Sequence, residues 1–335
     1  MTMQDVAEEA GFSVNTVSRA INDRPEISSD TKQKILEVAN ELGYRPNRPA
    51  QRLRSDKTGT IGVVVADIAN PFFSELVKGI EETARKDGFS LILQDTNEDC
   101  QIEMDAVEML MAERVDGVLI SPTQYDKKAL LELDKYGIPF VLLARYFDDL
   151  ETHYVIPDDV KGGYLATSHL LNLGHERIAF LNGPTHISSA KDRLKGYRKA
   201  LSESEEVEFD STLIREDVLT MDEGYRVATS LLKETAPDYP SGIFAYSDFV
   251  ALGVIKAIRK LKLRIPEDIA LVGYDNVSFS SCLEVPLTSI DIHKYMLGKY
   301  GFQTLKRIIF EDNGGDALRK LERDVDLIPR ASTTK

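Results

Sequence analysis

From Thr60 onward, short apolar runs rich in β-branched residues alternate with amphipathic stretches of helical periodicity. The predicted strands are residues 61–66, 90–94, 117–121 and 138–143, and the predicted helices between them are residues 74–86, 102–112 and 127–136. Strands that alternate with helices indicate an α/β domain with a parallel sheet and helices on both of its faces. This alternation constrains the fold more than any other feature of the chain.

The same pattern of runs occurs a second time along the chain. The matched runs are 61–66 with 178–182, 117–121 with 242–247, and 138–143 with 269–273. Two similar α/β lobes in tandem leave a cleft between them, and such clefts commonly bind small ligands. Open α/β sheets bind ligands at the carboxyl ends of their strands, so we expect the site at those ends.

Polar and aromatic side chains follow the predicted strands or open the next helix. The candidates for contact with a ligand are Asn70, Phe72, Phe73, Arg193, Ser247 and Asp275. Aromatic rings offer apolar platforms, and an arginine beside an aspartate can grip several hydroxyls, a carboxylate or a phosphate. Phe72 or Phe73 could instead belong to the core, and Asp275 could instead cap a loop.

The charge of the chain is unevenly distributed. A formal net charge of −14 over 335 residues argues by itself against a nucleic-acid partner. The first 57 residues, however, carry nine Lys/Arg and nine Asp/Glu, so the whole negative excess lies beyond them. Within residues 45–57, five basic side chains face only Asp56. A short basic stripe on an otherwise acidic chain indicates local contact with phosphates.

The two cysteines, Cys100 and Cys282, make neither a disulfide framework nor a zinc site. We therefore expect a reducing compartment, no metal and no other cofactor. The amino terminus lacks the apolar run of a signal peptide, and no run approaches the ~18 residues that a membrane span needs. These observations predict a cytoplasmic protein without a membrane partner.

The amino-terminal residues have the spacing of three short helices, predicted over 3–10, 14–21 and 28–42. Gly11 ends the first helix and Ser13 caps the second, which together predict a helix-turn-helix motif. The exposed polar side chains of the second helix are Asn15, Thr16, Ser18, Arg19 and Asn22. Such side chains can read base edges and contact phosphates in a major groove, although an ordinary solvent-facing helix has the same character.

Residues 44–54 present arginines and one large apolar residue, Leu53, on a potential short helix capped by Asn47. With this segment the sequence closely resembles the lactose-repressor family of bacterial regulators. The matching residues run ungapped through Leu53 and include Asp5-Val6-Ala7, Ala10-Gly11, Ser13-Val14, Thr16-Val17-Ser18-Arg19, Asn22 and Gly43-Tyr44-Arg45-Pro46-Asn47.

The resemblance implies a set of DNA-binding side chains. They are Val14, Asn15, Thr16, Ser18, Arg19, Asn22, Tyr44, Asn47, Ala50, Gln51 and Leu53. Those of the second helix would lie in the major groove, and residues 47–53 would form a hinge helix in the minor groove. Leu53 would wedge between base pairs and bend the duplex, and the cost of unstacking would be offset by contacts with the bent DNA.

Residues 60–330 resemble the effector domain of the same family and the periplasmic ribose-binding proteins. The motifs that carry this likeness are Asp67-Ile68-Ala69-Asn70-Pro71-Phe72-Phe73, Gly174-His175-Glu176-Arg177-Ile178, Ser247-Asp248, Ile265-Pro266-Glu267-Asp268-Ile269 and Gly273-Tyr274-Asp275. The resemblance implies that Phe72 and Phe73 flank the ligand. It also implies that Arg193 and Asp275 bind the polar groups of the ligand.

Three positions depart from the common sugar-binding pattern of this family. By this pattern Arg145 is a further candidate contact with the ligand, but Ala144 stands where an aspartate often precedes that arginine. Ser247 replaces a frequent asparagine, and Ile292 replaces a frequent glutamine. The set of side chains that would hold hydroxyls is therefore depleted. We expect a sugar derivative or related small molecule in preference to a free hexose or pentose.

The combined prediction is an α/β protein with a helix-turn-helix headpiece and a two-lobed, periplasmic-binding-protein-like domain with parallel sheets. The predicted divisions are 1–46 for the headpiece, 47–59 for the hinge and 60–335 for the effector domain, with lobe one at about 60–158 and 290–322 and lobe two at about 159–289 and 323–330. We expect a homodimeric repressor that binds a pseudo-palindromic double-stranded operator under small-molecule control. One alternative is a transport-type sugar-binding protein, which does not explain the headpiece. The other is an enzyme, for which the cleft offers no Ser-His-Asp or paired-carboxylate motif.

Overall fold

The computed structural model describes residues 1–21, 26–44, 57–205, 207–310 and 320–334. These residues form two compact units, Met1–Thr58 and Gly59–Lys335. Several predicted DNA contacts lie outside the described residues, namely Asn22, Asn47, Ala50, Gln51 and Leu53.

The first unit is the predicted three-helix headpiece. Its helices are α1 (Met3–Ala10), α2 (Val14–Ile21) and α3 (Ser29–Glu41). The Thr2 side chain accepts a hydrogen bond from the Asp5 N–H while the Asp5 carboxylate accepts one from the Thr2 N–H, which forms a capping box at the start of α1. Gly11 ends α1 at φ 73°, a left-handed conformation that glycine adopts without strain. The apolar faces of the three helices meet at the buried Val6, Val17 and Ile35.

The second unit contains two six-stranded sheets. In chain order the strands are β1 (Thr60–Val65), β2 (Ser90–Asp95), β3 (Val118–Ile120), β4 (Phe140–Leu143), β5 (His153–Pro157), β6 (Ile178–Leu181), β7 (Ile214–Arg215), β8 (Gly242–Ala245), β9 (Ala270–Tyr274), β10 (Thr288–Asp291), β11 (Lys320–Arg323) and β12 (Asp326–Ile328). The helices are α4 (Pro71–Lys86), α5 (Cys100–Ala112), α6 (Lys128–Lys135), α7 (Asp159–Asn172), α8 (Ser188–Ser202), α9 (Met221–Glu234), α10 (Asp248–Lys260) and α11 (Lys294–Phe310). Each sheet with its flanking helices forms one lobe.

The first sheet has the order β11-β5-β4-β3-β1-β2, and all of its pairings are parallel. The second sheet has the order β12-β10-β9-β8-β6-β7. There the prediction of parallel sheets is wrong at one edge, since β12 pairs antiparallel with β10. The direction differs because β10 runs toward the first lobe, whereas β12 enters the second lobe directly from β11 and runs away from the first.

The chain passes between the lobes three times, after β5, after β10 and after β11. Because β10 continues in the second sheet to Asp291, the second passage follows that residue and not residue 289. Because Arg323 belongs to β11 of the first sheet, the third passage follows it as well. These boundaries shift the predicted lobe limits by one or two residues. Two of the passages border the cavity between the lobes, through Pro157 and Ile292.

Candidate functional site

The second helix of the headpiece presents one face to solvent. Val14 is 44% exposed, and Asn15 and Arg19 are exposed as well. On the opposite face, Val17 and Ala20 are buried in the headpiece core. An exposed valine beside polar side chains suits a groove surface, where thymine methyl groups and base edges are both present.

Three other predicted DNA contacts, Thr16, Ser18 and Tyr44, are only half-exposed. The Thr16 hydroxyl lies 2.9 Å from the Ser13 hydroxyl, which also accepts a hydrogen bond from the Thr16 N–H. The Tyr44 ring packs against the headpiece core and is half-buried, as is the Ser18 side chain. Among the predicted DNA contacts that the structure describes, Val14, Asn15 and Arg19 are therefore the most exposed.

A cavity of about 310 Å³ lies between the two lobes of the second unit. All seven predicted ligand contacts line it, namely Asn70, Phe72, Phe73, Arg145, Arg193, Ser247 and Asp275. The lining residues that we did not predict include Asn97, Glu98, Pro157, Ser189, Leu219, Thr220, Glu223 and Tyr246. Most of the unpredicted residues lie in loops or at helix starts, where a sequence without strong periodicity gives little signal.

Arg193 is held by contacts with three residues, Asp159, Tyr246 and Tyr274. Its Nε donates to the Asp159 carboxylate at 2.8 Å, and one terminal nitrogen donates to the Tyr246 carbonyl at 2.6 Å. Its guanidinium carbon lies 3.6 Å from the centre of the Tyr274 ring. Burial lowers the pKa of Arg193, but Asp159 and the other acidic groups around the guanidinium together outweigh burial, and the net direction is upward. The guanidinium is therefore a fixed cation at the wall of the cavity.

The Arg193–Asp159 pair exists because α7 and α8 approach each other closely. A Cβ atom on Gly163 of α7 would lie 2.2 Å from the Arg193 carbonyl oxygen of α8, so a larger side chain would push the helices apart. Glycine at this position lets one backbone approach the other. The close approach brings Asp159, at the start of α7, within hydrogen-bond reach of Arg193.

Asp275 follows strand β9 in a conformation that non-glycine residues rarely adopt, with φ 94°. The residue is 4% exposed, and its carboxylate lies 3.9 Å from the nearest Arg193 nitrogen. Lys294 holds the turn, since its ammonium group donates to the carbonyls of Asp275 and Asn276 at 2.9 and 2.8 Å. Burial raises the pKa of Asp275 to about 6, although Arg193 and Lys294 oppose the shift.

Arg145 lines the cavity, but a carboxylate already holds it. Both terminal nitrogens donate to Glu98, at 2.8 and 2.5 Å, and one of them also donates to the Pro122 carbonyl. A bidentate arginine–carboxylate ion pair of this kind is among the stronger polar contacts in proteins. The preceding residue, Ala144, has φ 59°, which turns the chain so that the arginine points back toward Glu98.

The chain matches two family descriptions that divide it in the same way as the structure. Residues 2–47 match the bacterial regulatory proteins of the lacI family. Residues 58–330 match the periplasmic binding proteins and sugar binding domain of the LacI family. The chain belongs to the LacI family. It is a DNA-binding transcriptional regulator, and the resemblance drawn from the sequence motifs is confirmed.

Relatives of known name and structure cover the whole chain. The chain is 36% identical to the transcriptional regulator DegA of Bacillus subtilis over 292 residues, 86% of each chain. It is 35% identical to the transcriptional repressor PurR of Mannheimia succiniciproducens over 337 residues, covering 100% of this chain and 99% of that one. The crystal structure of the lac repressor dimer bound to operator and the anti-inducer ONPF has a TM-score of 0.87 and 30% identity, covering 100% and 99%.

In this LacI-family regulator, Phe72 and Phe73 belong both to the core and to the cavity. They are 7% and 5% exposed, and their ring centres lie 4.7 Å apart in an edge-to-face arrangement. Asn70 and Ser247 each cap a helix, because their side-chain oxygens accept from the N–H groups of Phe72 and Val250. These two caps hold the starts of α4 and α10 at the rim of the cavity.

The regulator also has a row of direct contacts between its lobes beside the cavity. Gln124 of the first lobe accepts a hydrogen bond from the Ser188 N–H of the second lobe at 2.9 Å. Tyr146 of the first lobe donates its hydroxyl to the Asp192 carboxylate at 2.9 Å, and its N–H to the Ser188 hydroxyl at 3.0 Å. Closure of the lobes is therefore stabilised in part by the protein itself.

Two further observations concern the part of the chain that the structure describes. No helix there is long and apolar enough to cross a membrane. No group of three or more His, Cys, Asp or Glu side chains there is arranged to hold a metal ion.

Asp248, which we did not predict, lies fully buried behind the cavity wall. Its carboxylate accepts hydrogen bonds from the hydroxyls of Ser280 and Ser289 at 2.5 and 2.7 Å, and from the Val277 N–H at 2.9 Å. Burial and then the charge of Asp275 raise its pKa to about 7. In the sequence, only its position in the Ser247-Asp248 motif indicated that Asp248 belongs to this region.

We expect Asp248→Asn to gain stability relative to the wild type as the pH rises. Because the folded pKa of Asp248 is above its ordinary 3.8, the folded state binds more protons than the unfolded state between these values. Stability from this group therefore falls as the pH rises through about 4 to 7, and asparagine removes that loss. Urea unfolding of both proteins at about pH 5 and pH 8 measures the difference. A difference that does not change with pH, or an equal change in the exposed Asp238→Asn control, would contradict this assignment.

Proposed function

We propose that this regulator is a homodimeric repressor whose operator affinity is set by a small, carbohydrate-like molecule bound between its lobes. The observation that carries this proposal is the interlobe cavity, where all seven predicted side chains converge from both lobes. A ligand in this position contacts both lobes at once. It can therefore favour one relative arrangement of the lobes over another.

The exposed face of α2 supplies the proposed major-groove contacts through Val14, Asn15 and Arg19. The proposed minor-groove contacts fall in residues 47–53, outside the described residues. One recognition helix reads few base pairs, and helix-turn-helix proteins pair so that two such helices meet half-sites about one turn apart. A pseudo-palindromic operator follows from that geometry.

The second lobe offers a surface for the proposed dimer. Helix α10 and the segments around it form an apolar groove of about 740 Å³. Its half-buried apolar side chains are Met221, Leu252, Ile255, Leu263, Ile265, Leu283 and Val285. Exposed apolar patches of this kind commonly mark interaction surfaces. The structurally similar lac repressor was crystallised as a dimer, which supports the same arrangement here.

Coupling between ligand and DNA would run through the angle between the lobes. The hinge at residues 47–53 is far shorter than the ~12–15 residues that an isolated helix needs, so we expect it to form only with DNA and a partner hinge. A ligand shifts this equilibrium only by its difference in affinity between the two lobe arrangements, typically about 1–3 kcal/mol. By linkage, operator DNA must change ligand affinity by the same factor.

A binding role suits the described cavity better than a catalytic one. Its described lining contains no histidine or cysteine. Of its two serines, Ser189 hydrogen-bonds to the Tyr246 hydroxyl at 2.9 Å and Ser247 caps α10. Nucleophilic catalysis needs a hydroxyl or thiol beside a base that can take its proton. A transport role would leave the headpiece without a purpose.

We expect Arg19→Ala and Leu53→Ala to weaken operator binding in different ways. Loss of Arg19 should lower the slope of log affinity against log salt by about one if its contact is to phosphate. Leu53 carries no charge, so its loss should leave the salt slope unchanged and reduce operator bending. Electrophoretic mobility shifts on circularly permuted fragments, with an operator selected from a random-sequence pool, measure affinity and bend together.

The matched control is Arg85→Ala, which removes an exposed arginine of the effector domain. That variant should bind and bend the operator like the wild type. Wild-type bending by the Leu53 variant would eliminate the wedge role. Failure of the wild-type protein to select any DNA sequence would overturn the proposed function itself.

A further inference from the structure

The charged groups around the cavity are unbalanced. Two guanidinium groups line it, and four carboxylates do so as well, those of Asp67, Glu98, Glu223 and Asp275. Both guanidinium groups are already paired, Arg145 with Glu98 and Arg193 with Asp159. The charge that remains to face a ligand is therefore negative.

Local hydrogen bonds hold two of these carboxylates, Glu223 and Asp67, in place. Glu223 accepts from the N–H groups of Leu219 and Thr220, both at 2.9 Å. Burial raises the pKa of Glu223, but these backbone hydrogen bonds outweigh it, so the net direction is downward. Asp67 accepts from the Ala69 N–H at 2.8 Å. Asp67 lies in the loop after β1, and Glu223 lies in the first turn of α9.

Asp275 differs from the other three carboxylates. It is more than nine-tenths buried, it lines the cavity, and within the described residues its carboxylate receives no hydrogen bond. Its nearest cation, an Arg193 nitrogen, is 3.9 Å away and belongs to a guanidinium that Asp159 already holds. The other nearby cation, Lys294, is paired with Glu75 at 3.2 Å and donates to backbone carbonyls. A ligand that displaces water from the cavity would leave this carboxylate without a hydrogen-bond donor, which is costly, so a ligand that itself offers a donor to Asp275 is favoured.

The same lining is unfavourable for an anionic ligand. A phosphate or carboxylate would need a guanidinium that is not already neutralised, and each one lining this cavity has a carboxylate within 2.8 Å. It would also approach Asp67, Glu223 and Asp275 in a partly enclosed space, where like charges repel strongly. The lining therefore disfavours phosphorylated sugars.

We propose that the effector is a small polyol that carries a protonated amine, such as an amino sugar, with the ammonium group at Asp275. This inference rests on the proposed function, since it takes the cavity as the control site. An ammonium group supplies both the missing charge and up to three hydrogen-bond donors. The cavity volume of about 310 Å³ is at the lower end for small-molecule sites, which suits a ligand of monosaccharide size. The remaining lining, with Tyr246, Phe72 and Ile292, would contact the ring.

The test uses thermal unfolding of the full-length protein with matched hexoses. Glucose, galactose and mannose are each supplied in neutral, 2-amino, 2-acetamido and 6-phosphate forms. The acetamido form retains the nitrogen but removes its charge, so it is the matched control ligand. We expect an amino form to raise the melting temperature more than its neutral and acetamido partners, and the phosphate forms to have the smallest effect.

The Asp275→Asn variant tests where the amine binds. Calorimetric titration should show that this variant loses about tenfold or more of the affinity for the amino form, because a charge-assisted contact is lost. The exposed Asp238→Asn variant should bind like the wild type. Retained affinity in Asp275→Asn, or stabilisation by the acetamido form equal to that by the amino form, would overturn the proposal.

Two other outcomes count against the proposal in full. One is a phosphate form that stabilises the protein more than its neutral parent, and the other is no response to any amino form. In either case operator binding is measured separately by mobility shift. A phosphorylated hexose that changes operator affinity would leave the proposed function standing and overturn only the assignment of ligand charge.

Discussion

Replacing Arg193 with alanine should lower the free energy of unfolding by about 3–5 kcal/mol, because it leaves a buried carboxylate without its partner. Asp159 is 4% exposed and receives its hydrogen bond from Arg193 at 2.8 Å. The substitution also removes a cation from the face of the Tyr274 ring and a donor from the Tyr246 carbonyl. Urea unfolding followed by circular dichroism measures the loss.

The double variant Arg193→Ala/Asp159→Asn separates the charge effect from the loss of packing. Removing the unpaired charge of Asp159 should recover much of the lost free energy of unfolding. Asp159→Asn alone should lower the free energy of unfolding less than Arg193→Ala does. A double variant no more stable than Arg193→Ala would indicate that packing, and not the unpaired charge, dominates. This cycle is informative because the two residues are in direct contact.

The same prediction changes how the control site should be tested. Arg193→Ala would lose its response to an effector either because the ligand contact is gone or because the second lobe has loosened. Asp275→Asn has no such ambiguity, since Asp275 holds no hydrogen bond from a described residue through its carboxylate and the amide has nearly the same shape. The smaller substitution is therefore the better probe of the cavity.

Ile255→Glu should convert the protein to a monomer and lower operator affinity about a hundredfold or more. Ile255 is half-buried in the apolar groove of the second lobe. A glutamate there would have to be desolvated in the dimer interface that we propose, which is costly without a partner. Once the subunits separate, the second headpiece no longer binds at the high effective concentration that a dimer provides. Analytical ultracentrifugation and mobility shift measure the two effects.

Leu131→Glu is the matched control, because it makes the same kind of change at an exposed leucine of the first lobe. That variant should remain dimeric and bind the operator normally. An Ile255→Glu protein that still sediments as a dimer would show that the groove is not the interface. A monomeric variant with full operator affinity would contradict the need for two headpieces.

Much of this architecture can be predicted from local sequence patterns. The three headpiece helices begin and end at residues whose chemistry caps or breaks helices, such as Thr2, Ser13 and Gly11. The alternation of strands and helices predicts parallel sheets, and parallel strands end at a common edge. For that reason side chains as distant as Phe72, Ser247 and Asp275 could be assigned to one cavity without a structure.

Tertiary structure alone decided how the charges in that cavity are paired. Glu98 lies 47 positions before Arg145, and Asp159 lies 34 positions before Arg193. Whether such groups meet depends on the left-handed turn at Ala144 and on the close approach of two helices at Gly163. Hydrophobic periodicity reports which face of an element is buried, but it carries no information about the distance between two loops. The sequence therefore located the cavity, whereas its excess negative charge emerged only from the fold, because pairing distances set which charges are neutralised.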